Sequence, residues 1–235
     1  MSQLERLIKS ADRVKQHGEV FTPQWMVDKM LAIEEIKGAT QDIHATFLEP
    51  STGEGVFLTS ILKRKLDCVK QHYATTLTQY EHYASYALTT LYGIELLEDN
   101  ADLCRLNLVE VFTREYREQC IRFKSRVKEG IIKNAYAIVW NNVIVGNFLT
   151  RQTIFNQPIV VPEWTLVVPI NLNKPQKTLR IIRTDYTLDD MEKGNTNIKG
   201  LMYGTINDRD AYYYEEKSAS QLYKMGVIKR ERRDE

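Results

Sequence analysis

The sequence predicts an α/β fold with a sheet of parallel strands, preceded by a helical segment and followed by a β-rich extension. The first observation is a short apolar strand at residues 46–48, which runs through a glycine-rich turn into a segment with helical period. The second is another apolar strand, Leu91–Glu95, which is again followed by a helical pattern. The third is a change at about residue 151, where prolines and β-branched runs replace this alternation.

The remaining elements follow from the spacing of apolar side chains. Residues 3–16 and 23–36 carry them at three- and four-residue steps and are predicted to be helices. Residues 68–90 have a helical character and are interpreted as an insertion before the second strand, and residues 99–118 as the helix after it. β-branched residues within 137–147 predict a further strand that ends in a polar group.

These elements divide the chain into three predicted parts. Residues 1–45 form the N-terminal helices, and residues 46–183 form the core with its parallel strands. Residues 184–235 are polar and tyrosine-rich and show no strong periodicity, so they are predicted to be a tail.

Composition and length bound the class of protein. The chain has 235 residues, of which 43% are hydrophobic and 27% charged, as expected for one domain with a small appendage. No apolar run approaches the roughly 18 residues of a membrane span, and residues 1–20 lack the apolar stretch of a secretory signal. We therefore expect a soluble, cytoplasmic protein. The odd number of cysteines and the lack of a CxxC pair argue against a disulfide framework and a zinc site, so no metal is expected.

The net charge of +1 gives no overall attraction to nucleic acid. Basic residues cluster at residues 63–65 and 229–233. Such clusters are more often solvated surface than a binding patch, so they indicate DNA binding only weakly.

The turn at residues 49–57 carries the first chemical signal. Gly53 and Gly55 allow a tight turn and the close approach of a ligand to the backbone. An ordinary connection between strand and helix is the alternative, since glycines are common turn residues.

Glu95 ends the next strand, at the place where a doubly wound sheet presents a carboxylate to the hydroxyls of a ribose. The alternative is that it caps the helix that starts near Asp99, because acids are favoured at helix N-termini. Together with the glycine turn, the ligand interpretation is favoured. Glu49 and Glu54 place negative charge in the turn, which favours a ligand with a cationic sulfonium, S-adenosylmethionine, over a pyrophosphate.

Four segments in order resemble motifs of N6-adenine DNA methyltransferases of the γ arrangement, found in restriction–modification systems. They are Gly18-Glu19-Val20-Phe21-Thr22-Pro23, the loop from Glu49 to Phe57, the strand Tyr92-Gly93-Ile94-Glu95, and Gly146-Asn147-Phe148-Leu149. The resemblance spans residues 18–150 and implies a Rossmann-like sheet that binds S-adenosylmethionine. The cofactor-binding residues that it implies are Thr22, Pro23, Glu49, Pro50, Thr52, Gly53, Gly55, Phe57, Glu95, Leu96, Asn147 and Phe148.

The sequence departs from this family at the catalytic loop. The family's Asp/Asn-Pro-Pro-Tyr/Phe tetrapeptide, which holds a flipped adenine, does not occur, and residues 156–159 (Asn-Gln-Pro-Ile) are the nearest approach. Catalytic residues are therefore not identified. Aromatic residues elsewhere could stack on a base but are more often packing residues, namely Trp164, Tyr186, Tyr203, Tyr212, Tyr213 and Tyr214.

Two functional hypotheses follow from the resemblance and this departure. One is a methyltransferase that acts on adenine N6 in double-stranded DNA. The other is a catalytically incomplete protein with a methyltransferase fold, which acts as a partner subunit or as a modulator of a restriction–modification system. In either case a second protein subunit could supply target recognition.

Overall fold

The computed structural model describes residues 9–171, 174–192 and 212–228, which form a mixed α/β structure. The helices there are α1 (Ala11–His17), α2 (Gln24–Leu31), α3 (Glu34–Thr40), α4 (Val56–His72), α5 (Leu77–Thr89), α6 (Glu98–Arg122), α7 (Glu129–Asn142) and α8 (Leu188–Glu192). The strands are β1 (Phe47–Glu49), β2 (Leu91–Glu95), β3 (Val143–Val145), β4 (Val160–Leu166), β5 (Arg180–Thr187), β6 (Tyr212–Tyr214), β7 (Lys217–Ser218) and β8 (Val227–Ile228). A short 3-10 helix spans Leu222–Lys224. None of the helices in these ranges is long and apolar enough to cross a bilayer.

Three parallel strands form the first sheet, in the order β1-β2-β3. Strand β2 is central and buried along its whole length, and its Gly93 lies opposite both Glu49 and Val143. The carboxyl ends of the three strands therefore meet at one edge, where an open α/β sheet binds its ligands.

Helices α4 to α7 pack around this sheet and supply most of the core. Helix α5 is buried from Gln79 to Thr89. Most of its buried polar groups are paired, as burial requires, although the Tyr80 hydroxyl has no hydrogen-bond partner in the described part of the chain. Glu81, for example, accepts a hydrogen bond from Tyr116 at 2.9 Å and forms an ion pair with Lys128 at 2.7 Å.

The second sheet is antiparallel, in the order β4-β5-β6-β8, with β7 also paired to β5. Side chains tie it to the helices of the first sheet. The Trp164 indole donates to Asn142 Oδ1 at 2.8 Å, and the Leu179 amide donates to His82 Nδ1 at 3.0 Å. The β-rich extension therefore shares a core with the parallel sheet.

Several predicted bounds differ from the structure. Residues 137–140, predicted as strand, belong to helix α7, and only Val143–Val145 is extended. The helix predicted over residues 23–36 is divided into α2 and α3 by the extended backbone of Ile33. The predicted boundary at residue 183 falls inside β5. That strand pairs with β4, which precedes the boundary in sequence, and with β6 and β7, which follow it. Residues 3–8 of the first predicted helix lie outside the described ranges.

Candidate functional site

The turn between β1 and α4 has a backbone that requires glycine. Gly53 and Gly55 have φ of 52° and 82°, in the left-handed region that L side chains rarely adopt. A Cβ on Gly55 would lie 2.5 Å from Cys104 Sγ, so α6 packs directly against the turn. The local sequence thereby fixes the turn close to the helix that follows β2.

The same turn also packs against β2. The Thr52 amide donates to the Ile94 carbonyl at 3.2 Å, and Thr52 Cγ2 would lie 2.3 Å from a Cβ on Gly93. Because Gly93 has no side chain, the methyl group of Thr52 occupies the space where a Cβ of residue 93 would lie.

Glu95 is buried and holds the turn in place through its carboxylate. Oε2 accepts the Gly53 amide at 2.7 Å, and Oε1 accepts the Leu97 amide at 3.1 Å, at the start of α6. A carboxylate has about four lone-pair sites, so each oxygen can accept a further hydrogen bond. Glu95 thus caps the start of α6, and its carboxylate also faces the cavity described below, where it can accept hydrogen bonds from a ligand.

Glu49, at the carboxyl end of β1, is the second acid of the site. Burial, and secondarily the charge of Glu95, raises the pKa of Glu49 to about 8, although the Leu58 amide donates to it. Its Oε2 atom is buried and has no hydrogen-bond partner in the described part of the chain. A buried oxygen without a partner costs about 1 to 3 kcal/mol, which a ligand with a donor or a cation would recover.

Residues 18–22 form the opposite wall of the site. Glu19 is buried, where it accepts hydrogen bonds from the Arg13 guanidinium and from Asn100 Nδ2, the latter at 2.7 Å. The Arg13 guanidinium holds the pKa of Glu19 below its ordinary value. Arg13 also binds Asp99, at 2.8 Å, so residues before the turn are joined to α6.

A cavity of about 180 Å³ lies between this wall and the strand ends. It is lined by residues 18–22, Glu49, residues 51–54, Val56, Phe57, residues 95–97 and Asn100. A second, mainly apolar cavity of about 230 Å³ adjoins it on the outer side of β1 and shares Thr22, Glu49 and Phe57. Small-ligand sites begin at about 300 Å³, which neither cavity reaches alone and both reach together.

The structure brings most of the predicted site residues together. The first cavity is lined by Thr22, Glu49, Thr52, Gly53, Phe57, Glu95 and Leu96, and the second by Pro50 among others. Pro23 caps α2, since its carbonyl accepts the amides of Met26 and Val27, and Gly55 packs beneath the turn on Cys104.

Asn147 and Phe148 follow the neighbouring strand β3 and do not line this cavity. Asn147 Oδ1 instead accepts the amides of Leu149 and Thr150, at 2.9 and 3.3 Å. Phe148 is half-buried and packs against the core.

The sequence did not indicate a role in the site for Arg13 or Asn100, and the cavity-lining Phe21 was named only as part of the first motif. The pairs that Arg13 forms with Asp99 and Asn100 forms with Glu19 join residues 86 and 81 positions apart, and no local pattern signals such pairs. The one local signal is Gly18, which ends α1 with a φ of 65° and directs the following residues toward the site.

The nearest approach to a catalytic loop does not reach the cavity. Residues 153–158 form a turn that is mostly exposed, with Asn156 at a φ of 55°, whereas Ile159 is fully buried in the core. Of the predicted stacking residues, Trp164 and Tyr186 are buried, so they pack as core residues. Tyr203 lies outside the described ranges.

Comparison with known protein families, with curated proteins and with solved structures finds no match.

Proposed function

We propose that the chain binds S-adenosylmethionine in the cavity at the carboxyl ends of β1 and β2, and that its α/β core is the Rossmann-like fold of methyltransferases. The observation that carries the proposal is the convergence of two carboxyl groups, the buried Glu95 and the half-buried Glu49, on a turn with two left-handed glycines. The acceptor implied by the sequence resemblance is adenine N6 in double-stranded DNA, in a cytoplasmic protein of a restriction–modification system.

The residues of the cavity fit this cofactor in charge and in hydrogen bonding. Each oxygen of Glu95 can accept one more hydrogen bond, which suits the two hydroxyls of a ribose. The unpartnered Oε2 of Glu49 suits a cationic or donor group, such as an ammonium or a sulfonium. A pyrophosphate is disfavoured, because the described lining contains Glu19, Glu54 and Glu95 beside Glu49 and no Lys or Arg.

When bound, the cofactor supplies an electrophilic methyl group. The residues of this chain bind and orient it, and Thr22 and Phe57 border both the acidic cavity and the apolar cavity beside it. Leu96, whose exposed fraction is 44%, adds an apolar surface beside Glu95 on which an adenine ring can rest.

A second candidate function is a protein that keeps the cofactor-binding half of a methyltransferase and acts as a partner subunit or a modulator. Two observations favour it. Residues 156–159 are not among the residues that line the cavity. In the described ranges, no strand pairs with the outer edge of β1 to carry another acceptor loop there.

Isothermal titration calorimetry with S-adenosylmethionine and with S-adenosylhomocysteine tests the binding. We expect saturable heat and, at pH 7, release of a proton, because a cationic group beside Glu49 lowers the pKa of its carboxyl. Titrations in buffers of different ionisation enthalpy measure that proton. Glu95→Ala should weaken binding at least tenfold, whereas Glu98→Ala, which removes an exposed acid, should not. Absence of saturable heat at millimolar ligand would refute the proposal.

A methyl-transfer assay with tritiated cofactor and unmethylated genomic DNA separates the two candidates. Incorporation by the purified chain alone would exclude a purely binding role. Binding without incorporation would favour the incomplete protein.

A further inference from the structure

Strand β1 has an open edge. It pairs with β2 on one side, and no strand of the described residues pairs with the other. The Phe47 amide donates to the Thr90 carbonyl at 3.0 Å, so Phe47 and Glu49 direct their backbone groups toward β2. Since alternate residues of a strand bond to opposite sides, the N–H and C=O of Leu48 point away from the sheet. The edge therefore offers one donor and one acceptor to a further strand.

The surface beside this edge is apolar. The 230 Å³ cavity on the outer side of β1 is formed by β1, α2 and α4. Among the described residues that line it, Glu49 is the only charged one. Met30 and Leu48, both in that lining, have exposed fractions of 42% each, and α2 also exposes Met26. Clusters of exposed apolar side chains next to an open strand edge are typical of a protein interface.

The strand order shows where a partner would belong. Doubly wound sheets bind ligands where the strand order reverses, between the first strands of two halves. Here β1 is the first strand of one half, and β2 and β3 both lie on the same side of it. A strand on the other side of β1 would create that reversal next to the cavity.

We propose that an extended, apolar segment of a second polypeptide docks as a parallel strand on the open edge of β1. The proposal rests on the proposed function, because the parallel direction places the loop after that strand at the cavity, beside Glu49. The single acid in the lining disfavours an acidic segment and favours one with an uncharged or basic carboxyl end. A second copy of this chain does not fit, because two-fold symmetry would pair the β1 strands antiparallel and place the loop at the opposite end.

Peptide display against the full chain tests the docking. We expect the selected peptides to have alternating β-branched residues and no acidic carboxyl end. Leu48→Pro removes the outward N–H while sparing the hydrogen bonds to β2, and it should weaken peptide binding about tenfold. Leu48→Ala keeps the N–H and is the matched control, with less than half of that effect expected. Met30→Glu places a charge in the groove and should also weaken binding.

A nitroxide on the peptide then reports the direction of the strand. At the carboxyl end it should broaden the amide resonances of Thr52 and Gly53, and at the amino end those near His44. The proposal would be overturned if the peptides bound Leu48→Pro and Met30→Glu as well as the unmodified chain. It would also be overturned if the broadening pattern showed an antiparallel strand, or if no extended peptide were selected. Dimerisation of the chain, measured by sedimentation, that Leu48→Pro abolishes would overturn it as well. Calorimetry with S-adenosylmethionine on the unmodified chain is separate, so failure of peptide docking and failure of cofactor binding are distinguishable. Circular dichroism and urea unfolding report whether Leu48→Pro is folded.

Discussion

Replacing Glu49 with glutamine removes an acid that the fold keeps in its neutral form. The pKa of Glu49 is raised to about 8 from 4.5 in the unfolded chain, first by burial and then by the charge of Glu95. The folded state therefore holds the proton more tightly than the unfolded state, so this group's contribution to stability is greatest below pH 4.5 and is lost as pH rises through 8. At 1.36 kcal/mol per pKa unit, the loss amounts to about 3 to 5 kcal/mol.

Urea unfolding at pH 5 and pH 8 measures this pH-dependent contribution of Glu49 to the free energy of unfolding. Glu49→Gln should differ from the wild type by less than about 1 kcal/mol at pH 5 and be more stable by about 3 to 5 kcal/mol at pH 8. Glu98→Gln, at an exposed acid, is the control and should show no such pH dependence. The glutamine variant should also release no proton on cofactor binding. A stability difference that is the same at both pH values would refute the assignment of a neutral, buried Glu49.

Three further substitutions test the packing around the site. Gly93→Ala places a Cβ 2.3 Å from Thr52 Cγ2 and should lower the free energy of unfolding by about 1 to 3 kcal/mol, with recovery in the double variant with Thr52→Ser. Gly55→Ala should lower it by at least as much, because the residue also has a φ of 82°, whereas the control Gly38→Ala has open space inside α3 and should raise it by about 0.5 to 1 kcal/mol. Lys65→Met should lower the free energy of unfolding by about 1 to 3 kcal/mol for each hydrogen-bond acceptor that loses its donor, because the buried Nζ donates to two carbonyls and a hydroxyl. Urea unfolding measures all three, and a change near zero in any of them would contradict the geometry.

The parts of the fold that sequence reasoning predicted are those with local signals. The strand, glycine turn and helix around Gly53 and the strand that ends at Glu95 both have patterns that extend over a few neighbouring residues. Residues 137–140 were predicted wrongly because their β-branched side chains favour a strand, whereas Ile138 and Val139 are fully or nearly fully buried on a helix. Tertiary packing outweighs intrinsic preference there.

In the site, too, the residues with a local sequence signal were predictable, whereas contacts between distant parts of the chain were not. Glu49, Glu95 and the turn glycines Gly53 and Gly55 were predictable because each lies at a strand end or in the turn after one. The contact between Glu19 and Asn100 joins residues 81 positions apart, and the open edge of β1 is a property of strand order, which no local pattern encodes. The hydrogen bond from the Gly53 amide to Glu95 likewise depends on the pairing of β1 with β2, which the sequence does not show.

The ion pairs of Lys9 and Arg13, at the start of the described chain and in α1, affect how fast a ligand can leave the cavity. Lys9 lies 3.3 Å from Glu54 and 3.0 Å from Asp99, and Arg13 joins Asp99 to Glu19, so this segment bridges the turn, α6 and the wall of the cavity. Pairs near a surface weaken as salt screens them. We therefore expect the residence time of a molecule bound in the cavity to shorten as ionic strength rises, because residues 18–22 are held less firmly when these ion pairs are screened.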